Sequence, residues 1–104
     1  MPYAWEKFHN AMHTLTGADS IQDRLADAYR LHLIHLDANK LPKEIQQDFE
    51  KLGENLTKVK ANGDEGTVAA TTATMSNDEA RKHIETILSM YDVVVRYEER
   101  LMRS

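Results

Sequence analysis

The stretch that decides the fold is SNDEARKHIETILSMYDVVVRYEERLMRS, residues 76–104. It opens with Ser76, whose hydroxyl can accept from a backbone N–H of the first turn, and Glu79 can reach back to complete a capping box. It closes with three arginines, which are cations suited to the negative end of a helix dipole. The stretch therefore predicts one long helix over residues 77–103.

Two apolar seams run along this predicted helix. The first seam recurs at spacings of three and four residues: Ala80, Ile84, Leu88, Tyr91, Val95 and Met102. The second seam lies beside it: Met90, Val94, Tyr97 and Leu101. At about 100° per residue the two seams together cover about half of the helix circumference. One neighbouring helix cannot cover that width, so we expect this helix to be central or to turn its second seam towards another chain.

The composition is that of a single helical domain, which we expect to cover residues 1–104. The chain carries a net charge of −4 and has few glycines and prolines. It therefore favours helices and gives no basic surface for nucleic acid or an anionic membrane. The absence of cysteine excludes disulfides, thiol nucleophiles and cysteine-ligated metals. Because neither a signal peptide nor a membrane span is recognisable, we expect a cytoplasmic protein.

Apolar spacing predicts three further main helices and one short one. The first covers residues 2–16, with Pro2 at its start, and the second covers residues 20–36. The third covers residues 42–59, and its narrow apolar stripe indicates a peripheral helix. That stripe is Ile45, Phe49, Leu52, Leu56 and Val59. Gly53, in the middle of this helix, either permits the close approach of a neighbour or is simply tolerated.

The segment between the third and last helices is rich in alanine and threonine. Long connections without structure are uncommon in compact domains, so we expect a short helix at about residues 66–75. Its inner side would carry Val68, Thr72 and Met75. A mobile crossover loop is the alternative.

Short links between the first three helices predict that neighbours run antiparallel. The predicted architecture is therefore an all-α, up-down bundle of four main helices. The second and last helices have the widest apolar arcs, so we expect them to be central.

His9 and His13 are the candidate metal ligands. Their i,i+4 spacing brings two imidazoles to one helix face, within reach of one metal ion. The glutamate that follows the first histidine of a zincin helix is missing, so that hydrolytic machinery is absent. The plainer interpretation is two half-exposed residues at the border of an apolar face. We expect no cofactor, and a divalent metal is the alternative.

His32 and Glu98 are the candidate buried polar residues. His32 projects to the middle of the apolar arc of the second helix. There it is either a neutral core histidine, hydrogen-bonded to a neighbour such as Trp5 or a carboxylate, or a proton-transfer group whose pKa is lowered by burial. Glu98 falls in phase with the first seam. It either pairs with Arg24, Arg30 or a histidine, or it reaches water near the end of the bundle.

The candidate interface is the second seam of the last helix: Met90, Val94, Tyr97 and Leu101. It combines a flexible thioether with an aromatic ring, which suits a protein contact. The alternative is that the short helix or the first helix covers it. We expect an interaction module without catalytic activity, homodimeric through the last helix or bound to another protein. A metal- or small-ligand-binding bundle that uses His9 and His13 is the alternative function.

Overall fold

The computed structural model describes residues 3–61, 63 and 66–103, and the secondary structure it assigns to them is helical. The α-helices are α1 (Tyr3–Leu15), α2 (Ile21–Ala28), α3 (Lys43–Asn55), α4 (Thr67–Thr72) and α5 (Asn77–Arg103). α2 continues directly into a π-helical turn, Tyr29–Leu33, and a short 3-10 turn, Ala38–Lys40, precedes α3. These described residues contain no strand, so the predicted all-α class is confirmed.

The predicted elements at the end of the chain are confirmed. α5 has the predicted bounds, and α4 lies within the predicted short segment. The Oγ of Ser76 accepts from the N–H of Glu79 at 3.1 Å, so the serine half of the predicted cap is present. Val68 and Thr72 are buried, as expected for the inner side of α4. The predicted first residue of the first helix, Pro2, lies outside the described residues.

The third predicted helix extends four residues beyond the end of α3, which is Asn55. Val59 was expected to face the core, but its side chain is 36% exposed. Its backbone N–H donates to Oγ1 of Thr71 in α4 at 3.0 Å. The chain has therefore left the helix at this point and holds α4 in place through a side-chain hydroxyl that is itself buried.

The second predicted helix changes its geometry half-way along. An α-helix would place His32, four residues after Ala28, towards the core. The π-helical turn accommodates one more residue per turn, because its hydrogen bonds run from i to i+5. Leu33 consequently takes the inner position with 0% exposure, while His32 is only partly buried. The prediction that His32 occupies the middle of the apolar arc is wrong for this reason.

α5 packs against α1, α2 and α3, while α2 packs against α1, α4 and α5. The face that α5 buries in this way consists of Ala80, Ile87, Met90 and Val94. The up-down order of the four main helices stays a prediction.

None of the helices in the described part of the chain combines the length and the apolar character needed to cross a bilayer.

Gly53 permits a close approach between α3 and the π-helical turn. A Cβ at this position would lie 2.8 Å from the Oη of Tyr29, a distance that real Cβ contacts do not reach. Tyr29 is 6% exposed, so its ring has little room to retreat. Of the two interpretations of Gly53, the structure therefore supports the close approach.

We expect Gly53→Ala to lower the free energy of unfolding, although alanine is favoured over glycine by about 1 kcal/mol inside a helix. The reason is the collision of the new methyl group with the Tyr29 hydroxyl. In a Tyr29→Phe background the nearest remaining atom is Cζ at 3.8 Å, an ordinary contact, so the same substitution should stabilise the protein. Urea unfolding of the wild type, the two single variants and the double variant measures the change in the free energy of unfolding in each background. Stabilisation in both backgrounds would contradict the steric account.

Candidate functional site

The predicted interface residues on α5 are divided between the core and the surface. Met90 is 1% exposed and Val94 is 2% exposed. Because their own chain already covers them, these two side chains are not available to a partner in this conformation. Tyr97 is 42% exposed. Leu101 lies in α5, but its side chain is outside the described part of the structure.

Among the described side chains of α5, the most exposed apolar one belongs to the first seam. Leu88 is 49% exposed, and its seam neighbours Ile84, Tyr91 and Val95 are partly buried. We call these four residues the open strip. Their spacing of four, three and four residues keeps them on one side of the helix. Met90 and Val94 of the second seam therefore lie in the core, whereas the four residues of the open strip are partly or largely exposed.

Charged residues flank the open strip on its solvent side. Arg81 pairs with Glu85 at 3.4 Å, and Arg96 pairs with Asp92. All four side chains are largely exposed. An exposed pair one turn apart contributes only about 0.3–0.5 kcal/mol, so these charges are easily rearranged.

His9 and His13 lie next to the open strip, where α1 meets α5. The Nε2 atoms of the two histidines are 3.2 Å apart. On its other side, His9 has its Nδ1 atom 3.0 Å from the Oη of Tyr91. Its ring also stacks on Trp5, with the ring centroids 4.6 Å apart and the planes 11° from parallel. His9 is thus fixed by contacts on three sides, whereas His13 is exposed.

The surface around this pair is a shallow groove. Its lining contains both histidines together with Met12, Thr16 and Tyr91. Within the described residues no group of three or more histidine, cysteine, aspartate or glutamate side chains is positioned to share a metal ion. The pair therefore offers two ligand nitrogens and an open side.

His32 contacts Thr14 rather than the predicted Trp5 or a carboxylate. Its Nε2 atom lies 3.0 Å from the Oγ1 of Thr14. That hydroxyl donates to the backbone oxygen of Asn10 at 3.2 Å, so it accepts from the histidine ring. Burial lowers the pKa of His32 below its ordinary value, and the positive charge of Lys7 lowers it further. The neutral form of the ring is therefore favoured.

Glu98 lines a cavity of about 270 Å³ at the end of the molecule where α1 begins. Its polar lining also includes His35, Asp37 and Lys40. The arginines predicted as partners of Glu98 are engaged elsewhere. Arg24 donates to the backbone oxygens of Leu15 and Asp19, and Arg30 pairs with Asp27.

Comparison of the chain with protein families, with curated proteins and with solved structures gives no match.

Sequence reasoning missed two hydrogen-bond partners in these sites, Tyr91 of His9 and Thr14 of His32. Tyr91 was counted as a seam residue, and nothing in a single sequence indicates which helix its hydroxyl meets. The contact of Trp5 with His9 did have a signal, because residues four apart lie on one helix face. Trp5, His9 and His13 repeat that spacing twice.

The environment of His32 predicts a stability that depends on pH. Burial lowers the pKa of His32 in the folded state. Its contribution to the free energy of unfolding is therefore complete above the ordinary pKa of about 6.5, and it is lost as the pH falls through the lowered folded-state pKa. We expect an NMR titration to give His32 a pKa below the ordinary value, and Lys7→Met to raise it. Lys51→Met, on the exposed side of α3, is the matched control. An ordinary pKa for His32 in the folded protein would contradict this assignment.

Proposed function

We propose that this protein is a non-catalytic interaction module of the cytoplasm and that it pairs with a second copy of itself through the open strip of α5. The proposal rests on the exposure of Leu88. This side chain is 49% exposed and lies at the centre of an apolar strip. Complete burial of a leucine stabilises an association by about 1.5–3 kcal/mol, so leaving half of this side chain in water is unfavourable for a lone chain.

An antiparallel arrangement makes the strip complementary to itself. Two antiparallel α5 helices can be aligned so that Ile84 of one copy lies opposite Val95 of the second copy. In the same alignment Leu88 lies opposite Tyr91 of the second copy, and the numbers of each facing pair sum to about 179. Two-fold symmetry repeats each contact, as isologous interfaces require. Four apolar residues of each helix would then be covered by the four of the other.

The flanking charges favour the same direction. In the antiparallel register Arg81 is about level with Glu99 of the second copy, so the ends of the strip bring opposite charges together.

We expect Leu88→Glu to abolish self-association, because it places a charge at the centre of the apolar contact. Leu31→Glu is the matched control, since Leu31 is also a helical leucine and is 48% exposed, but lies on the π-helical turn. Sedimentation velocity over a dilution series measures the monomer and dimer fractions. The dimer should persist in wild type and Leu31→Glu and disappear in Leu88→Glu. A wild-type chain that stays monomeric at the highest concentration would overturn the proposal.

Cysteine cross-linking tests the direction of the helices, and the chain has no cysteine of its own to interfere. Ile84→Cys and Val95→Cys variants are oxidised separately and as a mixture. The antiparallel arrangement predicts that the disulfide forms chiefly in the mixture, joining one variant to the other. Efficient cross-linking of each variant alone would instead indicate parallel helices. A dimer that is insensitive to Leu88→Glu and cross-links in neither case would exclude the open strip.

A further inference from the structure

We propose that His9 and His13 form a two-histidine site for a late first-row divalent cation such as Cu²⁺, Ni²⁺ or Zn²⁺, and that Tyr91 and Trp5 position His9 within it. This site shares Tyr91 with the open strip, but it does not depend on self-association.

The distance between the two nitrogens fits one shared ion. Metal–nitrogen distances of about 2.0–2.1 Å and a tetrahedral angle require two ligand nitrogens to be about 3.3–3.4 Å apart. The Nε2 atoms of His9 and His13 are 3.2 Å apart and face each other. The hydrogen bond that joins them in the metal-free chain therefore holds both side chains close to the geometry of ligation. In the metal-free pair the Nε2 proton of His13 lies between the two Nε2 atoms. When His13 carries this proton on Nδ1 instead, both Nε2 atoms can bind the ion.

The outer contacts of His9 set its tautomer. A ring that binds a metal through Nε2 carries its proton on Nδ1, and such a proton is usually given to a nearby oxygen. The Oη of Tyr91 lies 3.0 Å from Nδ1 and can accept it. Stacking on Trp5 fixes the plane of the same ring. The entropy of ordering His9 is therefore already lost before an ion arrives, which favours binding.

The ligand set determines which ions suit the site. Imidazole nitrogen suits Cu²⁺, Ni²⁺ and Zn²⁺, whereas Mg²⁺ and Ca²⁺ prefer oxygen. No third histidine, cysteine or carboxylate joins the pair in the described part of the chain. The exposed side of His13 and the adjoining groove leave the remaining coordination positions to water. The expected site is accessible, exchangeable with chelators and strongest for Cu²⁺ among these ions.

The test is isothermal titration of the full, untagged chain with ZnCl₂, and separately with NiCl₂ and MgCl₂, followed by NMR of the histidine rings. We expect one Zn²⁺ or Ni²⁺ per chain, no heat with Mg²⁺, and ring shifts confined to His9 and His13. His13→Ala should weaken binding at least tenfold without loss of helix, because His13 is exposed. His35→Ala, which removes another exposed histidine, is the matched control and should bind as wild type does.

Tyr91→Phe distinguishes a positioning role from a merely structural one. We expect it to weaken Zn²⁺ binding by about 10- to 100-fold, as outer partners of ligating histidines commonly do. It should also remove the Nδ1-protonated signal of His9, while circular dichroism stays unchanged. Wild-type affinity in both His9→Ala and His13→Ala would overturn the site. Repeating the titration on Leu88→Glu keeps the outcome independent of dimer formation, because that variant should still bind one ion.

Discussion

The burial of one face of α5 between three other helices is the constraint on which the rest of this structure depends. Ile87, Met90 and Val94 have 2% exposure or less, and α5, a helix of 27 residues, packs against α1, α2 and α3. The same burial fixes where Tyr91 lies, and through Tyr91 it fixes His9. The position of both candidate sites is thus a consequence of how α5 is rotated in the core.

Hydrophobic periodicity predicted the elements well where the chain keeps regular α-helical geometry. α5 has the expected bounds because its cap and its apolar spacing agree along the whole length. Prediction failed where the geometry changes. The π-helical turn leaves His32 only partly buried, and a period of 3.6 residues carries no information about such a turn. The end of α3 at Asn55 could not be predicted from the apolar spacing, because Val59 fits that spacing. In the folded chain the backbone N–H of Val59 instead donates to the hydroxyl of Thr71.

The candidate sites could be predicted only in part, because the sequence does not show how the helices pack against one another. The sequence identified two seams on α5, but apolar spacing does not show whether a seam is covered by its own chain or by a partner. The packing of α1, α2 and α3 makes that choice and covers Met90 and Val94. The pairing of His9 with His13 follows from spacing within one helix and was recognisable. Its support by Tyr91 joins residues 82 positions apart, a relation that requires the folded chain.

The ion pairs seen in the described residues share one feature, which is that each joins side chains of a single helix. They are Asp27 with Arg30, Arg81 with Glu85, and Asp92 with Arg96. Contacts between different elements consist instead of apolar packing and hydrogen bonds, such as those from Arg24 to the backbone of Leu15 and from Gln22 to the backbone of Met75. The exposed ion pairs therefore strengthen individual helices without specifying which helix packs on which. Exchanging the two charges of such a pair should leave the packing of the core unchanged.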